Sequence, residues 1–192
     1  MNAPTVSDRS APLGPRVTSH GIDRAARLAR RIRVLVIVFM AGLILSGLTA
    51  FPLTIELRIL RSFLGIDPAV SPGSYSGLQH WIATAAAALQ EIDVKYPFIA
   101  YGTDWLAFAH LVIAVAFIGP LRDPVRNIWV ITFGLIACIG VIPLALIAGA
   151  VRQIPFYWRL IDCSFGVFGA VPLWLARRDV RLLEAFQREH GA

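Results

Sequence analysis

Residues 34–53 have the sequence VLVIVFMAGLILSGLTAFPL, and this stretch decides the class of fold. It contains no charged side chain. An α-helix of about 20 residues is about 30 Å long, which matches the hydrocarbon core of a bilayer. The stretch therefore predicts a transmembrane helix.

Three further apolar runs follow, over residues 104–120, 128–150 and 158–176. Across the 192 residues, 57% of the side chains are hydrophobic and 16% are charged, whereas a soluble domain has about 25% charged residues. This composition argues against an ordinary soluble enzyme. We predict an all-α polytopic membrane protein, a four-transmembrane-helix bundle over residues 34–178, with its first span at about residues 34–54.

The short connections predict which spans are neighbours. Residues 121–126 join the second span to the third, and residues 152–157 join the third to the fourth. Helices joined by so few residues commonly pack as antiparallel hairpins. Direct packing is therefore expected within both pairs.

The long outer segment, residues 55–103, contains a helical pattern of its own. Ser76 and Gln79 have the spacing of a capping box at its start, and Pro97 ends it. The apolar stripe comprises Leu78, Trp81, Ile82, Ala85, Leu89 and Ile92. A helix with this amphipathic pattern is too polar to cross the bilayer. It is expected to lie in the outer interface and to cover the mouth of the bundle.

The arginines predict the topology. The chain has 18 Lys and Arg residues against 12 Asp and Glu residues. With the N-terminus in the cytoplasm, the inner segments carry more arginines than the outer ones, in agreement with the positive-inside rule. The inner arginines are Arg24, Arg27, Arg30, Arg31, Arg33, Arg122, Arg126, Arg177, Arg178, Arg181 and Arg188. We predict a multi-pass protein of the bacterial inner membrane with both termini in the cytoplasm.

The two ends of the chain are predicted to lie outside the membrane domain. Residues 1–33 form a basic tail that is flexible at first and becomes, from Ser19, a short helix on the anionic membrane surface. Residues 179–192 form a cytoplasmic C-terminal tail. The net charge of +6 is explained by arginines that flank the spans. The sequence has no basic stretch with interleaved aromatic residues, so a nucleic-acid partner is not expected.

Two ionisable side chains fall inside the spans. His110 lies about 9 Å and Asp162 about 6 Å inward from the outer boundary, at 1.5 Å per residue. Such residues are costly in a bilayer and mark functional sites. We expect the two to meet and to form a catalytic or ligand-binding pair, with Asp162 orienting His110. Two alternatives remain open, namely an ion pair between Asp162 and Arg159 and an interhelical hydrogen bond of His110.

Further polar residues are expected around this pair on the outer face. The expected ligand or cofactor site comprises His80, Glu56, Asp104 and Arg159. Two histidines with carboxylates suit zinc or haem, but no HxxxH or HExxH spacing is present, so the metal and the cofactor remain unknown. Cys138 and Cys163 lie in apolar runs and are interpreted as packing residues. No phosphate loop, nucleophile elbow or redox pair defines a reaction.

Four stretches carry a resemblance. They are SGLTAFPLTIEL at 46–57, KYPFIAYGTDWLAFAHLVIA at 95–114, GPLRDPVRN at 119–127 and IPFYWRLIDCSFGVFGAVPLW at 154–174. Together they resemble bacterial four-span integral membrane proteins of unassigned function. The resemblance covers roughly residues 34–178. It implies an intact four-span unit and carries no activity or site residue with it.

Two functions remain open on the sequence. The first is a membrane bundle whose outer mouth binds a small ligand, lipid or cofactor, with His110 and Asp162 as its floor. The second is a non-catalytic subunit, an assembly or anchor protein of a membrane complex. Its surroundings would then be the lipid bilayer together with a partner membrane protein or a second copy of the chain. A transporter is less favoured, because no internal repeat pair is present.

Overall fold

The computed structural model describes residues 19–190. Every regular element in that range is helical. The α-helices are α1 (Ser19–Ala50), α2 (Leu53–Phe63), α3 (Gly77–Lys95), α4 (Tyr101–Ala116), α5 (Ile118–Arg122), α6 (Ile128–Val151) and α7 (Phe156–His190). Single 3₁₀ turns cover Pro72–Ser74 and Pro97–Ile99. The all-α prediction is confirmed for this part of the chain.

Four helical segments are long and apolar enough to cross a membrane. They are Gly21–Ala50, Pro97–Arg122, Ile128–Val151 and Phe156–Glu189. The predicted number of spans is therefore confirmed. The bounds of each segment differ from those of the corresponding apolar run in the sequence. Proline marks several helix ends, as its missing N–H and its steric bulk dictate. Pro52 precedes α2, and Pro155 precedes α7.

The helices are arranged in the spatial order α4, α1, α7, α6. Helix α7 packs along both α1 and α6, and α4 packs mainly on α1. The predicted hairpin between the third and fourth spans is confirmed by the contact of α6 with α7. The predicted hairpin between the second and third spans is wrong. The extra helix α5 separates α4 from α6, so that α4 finds its main neighbour in α1.

Phe117, between α4 and α5, joins the four spans at one end. Its side chain is fully buried. Its ring centroid lies 4.7 Å from that of Phe39 in α1, and it also belongs to the apolar cluster of Ile131 and Leu173. Gly134 in α6 makes room for it, because a Cβ atom there would lie 2.7 Å from Phe117 Cζ. A single aromatic side chain thus contacts or approaches α1, α6 and α7 where α4 ends.

The expected boundary between a basic surface helix and the first span is absent. Helix α1 continues from Ser19 through residue 33 into the apolar run without a break, since no proline or glycine interrupts residues 22–41. Helix α7 likewise continues past residue 178 to His190. These extensions pack on each other, with Ile32, Val180 and Leu183 in one buried cluster. Residues 1–18 lie outside the described range.

Helices α2 and α3 form a small hairpin of their own. Ile66, Ile82 and Ala83 form its buried cluster. The predicted helix after Ser76 is confirmed, but the capping box is wrong, because the Ser76 side chain makes no capping hydrogen bond. Gln79 instead donates from Nε2 to the carbonyl oxygen of Leu64, at 3.0 Å. This bond fastens the start of α3 to the end of α2.

The hairpin meets the N-terminal end of α7. The ring centroids of Trp81 and Trp158 are 6.3 Å apart. The Tyr157 hydroxyl donates to the carbonyl oxygen of Gly77 at 3.3 Å. Helix α3 therefore begins against the end of α7 at which Asp162 is located.

Candidate functional site

His110 is a half-buried residue of α4 that faces α1. Its Nδ1 lies 2.7 Å from the carbonyl oxygen of Leu106, one turn earlier. Because a carbonyl oxygen only accepts, Nδ1 carries the hydrogen, and in the neutral ring the lone pair lies on Nε2. Within residues 19–190, Nε2 has no hydrogen-bond partner. The ring is thus oriented by its own helix and keeps one free acceptor.

Gly47 lets α1 and α4 approach each other beside His110. A Cβ atom at Gly47 would lie 2.9 Å from the Ala107 carbonyl oxygen and 3.1 Å from His110 Cβ. Any larger residue at Gly47 would push α4 away. This close approach holds the position of His110 relative to α1.

Asp162 is half-buried on α7, and its carboxylate has no hydrogen bond or ion pair with any residue in the described range. The ion pair with Arg159, considered from the sequence, is not formed. Arg159 donates from Nη1 to the carbonyl oxygen of Leu146 in α6, at 3.3 Å, and its guanidinium lies 5.3 Å from the Phe156 ring centroid. Gly149 leaves room for the aliphatic part of its side chain. The carboxylate is therefore left uncompensated within residues 19–190.

His110 and Asp162 lie on different helices and do not form the expected hydrogen-bonded or ionic pair. They lie on α4 and α7, on two different neighbouring helices of α1. No hydrogen bond or ion pair joins them in the described structure. Helix α1 therefore lies between α4 and α7, and these two side chains do not link the helices.

The two residues nevertheless lie at a similar level along α1. Arg31 meets Asp179 and Phe39 approaches Gly169, so α1 and α7 are antiparallel. Asp162 precedes Gly169 by two helical turns, or about 10.5 Å. It therefore lies at about the level of residue 46 along α1, close to the level of Gly47, which approaches His110.

The remaining candidate residues of the outer face are placed separately. His80 is exposed in the first turn of α3, and its Nδ1 lies 2.8 Å from the Pro72 carbonyl oxygen. Glu56 is exposed in the first turn of α2, and Asp104 is half-buried in the first turn of α4. An acidic residue in the first turn is favoured by the helix dipole. No hydrogen bond or ion pair connects any of the three to His110 or Asp162.

A metal site formed by three or more side chains is not present in residues 19–190. In that range, no three His, Cys, Asp or Glu residues lie close enough together to hold an ion. Cys138 is buried, and a Cβ atom at Gly169 would lie 2.9 Å from its Sγ. Cys163 points towards the Ile142 carbonyl oxygen at 3.9 Å. Both thiols are free and lie where α6 and α7 pack.

One buried charge was missed by the sequence reasoning. Asp179 is fully buried in α7. Arg31 Nε lies 3.2 Å and Arg178 Nε 3.5 Å from its carboxylate oxygens, although neither approach has the alignment of a hydrogen bond. The sequence contains a signal for its burial, because Asp179 falls between Ala176 and Leu183 on the apolar stripe of α7 that is buried in the structure.

A polar cavity between α2 and α3 was also missed. It has a volume of about 360 Å³, and its polar lining comprises Thr54, Arg58, Arg61, Gln90 and Asp93. Both arginines belong to the outer segment, residues 55–103, and no sequence motif singles them out. Their convergence follows from the way α2 folds back on α3, which no local pattern specifies.

A second cavity is entirely apolar. It has a volume of about 480 Å³ and lies between α6 and α7. Gly166 and Ala170 form part of its wall, so the two backbones come close beneath it. It faces outward from the bundle and presents only hydrophobic surface.

These helices define a multi-pass α-helical membrane protein by their length and hydropathy. No family model, no curated protein and no solved structure matches the chain. The resemblance to bacterial four-span proteins therefore identifies no family, and the function has to be argued from the residues themselves.

Proposed function

We propose that this protein lies in the bacterial inner membrane with both termini in the cytoplasm, and that it binds a small lipid-soluble molecule through His110 and Asp162. The topology rests on the arginine distribution. It agrees with the packing of the first turns of α1 against the last turns of α7, because the two ends of the described chain then lie on one side. His110 and Asp162 belong to the opposite half.

The uncompensated carboxylate of Asp162 carries the proposal. An ionisable group within a span normally pairs with another side chain, faces water or binds something. Asp162 has no partner within residues 19–190, and Arg159, the nearest cation in sequence, is engaged by α6. A bound molecule that supplies a hydrogen-bond donor or a positive charge would remove this cost.

His110 supplies the complementary group at the same depth. Its Nδ1–H is used by Leu106, so Nε2 accepts a hydrogen bond or coordinates an electrophile. One imidazole and one carboxylate are too few to form a closed structural zinc site, which needs four ligands. This favours an organic molecule with a hydroxyl or an amine over a closed metal site.

The variants His110→Asn and Asp162→Asn test this proposal. The Asn amide reproduces the bond of Nδ1 to Leu106 but removes Nε2, and the second change neutralises the carboxylate at constant size. Ser164→Ala is the matched control, since the Ser164 hydroxyl bonds only to the Ile161 carbonyl oxygen. Protein purified in a mild detergent is examined by absorbance, metal analysis and mass spectrometry of extracted small molecules.

We expect a stoichiometric molecule in the wild type and in Ser164→Ala, and its loss from both other variants while each still elutes as a folded species. Absence of any such molecule from the wild type, or its equal retention in all variants, contradicts the proposal. Loss in only one of the two variants contradicts the shared site.

A second function, a subunit of a membrane complex, is favoured by the same carboxylate. A basic residue from a partner's span would compensate Asp162, and the neighbouring Phe165 and Phe168 are exposed on α7. Chemical cross-linking in membranes distinguishes the two. A stoichiometric protein partner that is lost in Asp162→Asn and retained in His110→Asn supports the complex.

A further inference from the structure

The cavity between α2 and α3 contains two cationic side chains without partners. Neither Arg58 nor Arg61 forms a hydrogen bond or an ion pair through its guanidinium within residues 19–190, and the same holds for the Asp93 carboxylate. Nε of Arg61 is buried and unsatisfied. A buried donor without an acceptor is costly, so this wall of the cavity favours an anion.

The second helix has three distinct faces. Leu60 and Leu64 pack on the cluster around Ile66. A second face carries Ile59 and Phe63, whose exposed fractions are 65% and 87%. The arginine side chains lie on a third face that lines the cavity.

The exposed apolar face positions the cavity relative to the membrane. An apolar face on a short amphipathic helix that directly follows a span is buried at the boundary of headgroups and acyl chains. Arginine side chains on the adjoining face then extend to the level of the headgroups. The cavity is thus located where phospholipid phosphates occur.

Asp93 determines which headgroup fits. Guanidinium groups bind phosphate oxygens through charge-assisted hydrogen bonds. A carboxylate in the same cavity opposes a purely anionic headgroup and complements an ammonium group. Thr54 and Gln90 provide neutral hydrogen-bonding groups between these charges.

We propose that this cavity binds the headgroup of an aminophospholipid, with the phosphate at Arg58 and Arg61 and the ammonium group at Asp93. The inference does not depend on the His110 and Asp162 site. The same chemistry would suit free phosphoethanolamine, so the two sources have to be distinguished by experiment.

Native mass spectrometry of the full chain in detergent tests the proposal, with equal amounts of phosphatidylethanolamine and phosphatidylglycerol as probes. The wild type should retain one phosphatidylethanolamine. Replacement of both arginines, Arg58→Gln with Arg61→Gln, should weaken retention by about 100-fold, since each charged hydrogen bond accounts for about tenfold or more. The matched control is Arg152→Gln, because Arg152 is an exposed arginine at the end of α6, outside the cavity.

Two further variants separate recognition from folding. Arg58→Lys with Arg61→Lys keeps both charges and should retain most of the bound lipid. Asp93→Asn should abolish the preference for phosphatidylethanolamine over phosphatidylglycerol without loss of phosphate binding. An unchanged preference in Asp93→Asn would overturn the assignment of the ammonium group.

Three results would overturn the proposal as a whole. The first is equal lipid retention by the double Gln variant and by Arg152→Gln. The second is a wild type that prefers phosphatidylglycerol. The third is displacement of the lipid by an equal concentration of free phosphoethanolamine, which would assign the cavity to a soluble phosphate ester.

Discussion

Replacement of Gly166 by alanine should separate α6 from α7. A Cβ atom at Gly166 would lie 2.5 Å from the carbonyl oxygen of Cys138, about 0.9 Å inside the 3.4 Å at which ordinary contact begins. The obstructing atom belongs to the backbone of α6, so no side-chain rotation relieves the clash. The two helices have to move apart along a contact that lines the α6–α7 cavity.

Two opposing effects determine the size of the change. Overpacking in a close-packed region costs about 1–3 kcal/mol. Alanine favours a helix over glycine by about 0.5–1 kcal/mol. Gly166→Ala should therefore lower the free energy of unfolding by about 0–2.5 kcal/mol.

Gly140→Ala is the matched control. Gly140 lies in α6 and has no atom within 4 Å of its hypothetical Cβ. Its replacement should raise the free energy of unfolding by about 0.5–1 kcal/mol, through helix propensity alone. The difference between the two variants removes the propensity effect and measures the close approach.

Reversible unfolding in mixed detergent micelles with increasing sodium dodecyl sulfate, followed by tryptophan fluorescence, measures both variants. A difference of about 1–3 kcal/mol corresponds to a ratio of about 5 to 150 between their unfolding constants. Equal stability of the two variants would refute the proposed contact between Gly166 and the α6 backbone.

Three other outcomes are expected. Asp179→Asn should destabilise by about 1 kcal/mol, because it removes the attraction between a buried carboxylate and two half-exposed arginines, whereas Glu184→Gln removes a surface pair and should cost below about 0.5 kcal/mol. Phe117→Ala should cost about 3 kcal/mol as a cavity in the core, while the exposed Phe98→Ala should be nearly neutral. A cysteine at Ser71, in a background without the native cysteines, should react with an impermeant maleimide in intact cells.

The same unfolding assay measures the first two outcomes. Equal effects of Asp179→Asn and Glu184→Gln would contradict the buried ion pair, and a neutral Phe117→Ala would contradict the convergence of helices on that ring. A cysteine at Glu184 is the control for the labelling experiment and should react only after lysis. Labelling of both positions in intact cells would contradict the proposed topology.

Much of the fold was accessible from local pattern because the bilayer imposes a length and a polarity on each span. The run at 34–53 and the three later runs are each apolar over about the length that crosses the hydrocarbon core. The four spans follow from them. The helix after Ser76 followed from its apolar stripe in the same way. The helix ends were less accessible, because basic turns at residues 19–33 and 179–190 continue the spans instead of leaving them.

The candidate site was accessible only in part. The composition of the spans singled out His110 and Asp162 as ionisable residues, and the structure places His110 beside Gly47. Their hydrogen-bonding partners depend on the rotation of each helix and on which helices are neighbours. The sequence alone specifies neither. Arg159 bonds to α6 and leaves Asp162 alone.

By itself, the sequence determined that this protein has four membrane-spanning helices and an amphipathic helix between the first two. Hydrophobic length and periodicity are local properties, so they can be recognised residue by residue. Packing between distant parts of the chain places α4 beside α1 and buries Asp179 beside Arg31. It also brings Arg58 and Arg61 into one cavity with Asp93. These facts depend on which surfaces fit together, and close packing of side chains from distant parts of the chain determines that fit.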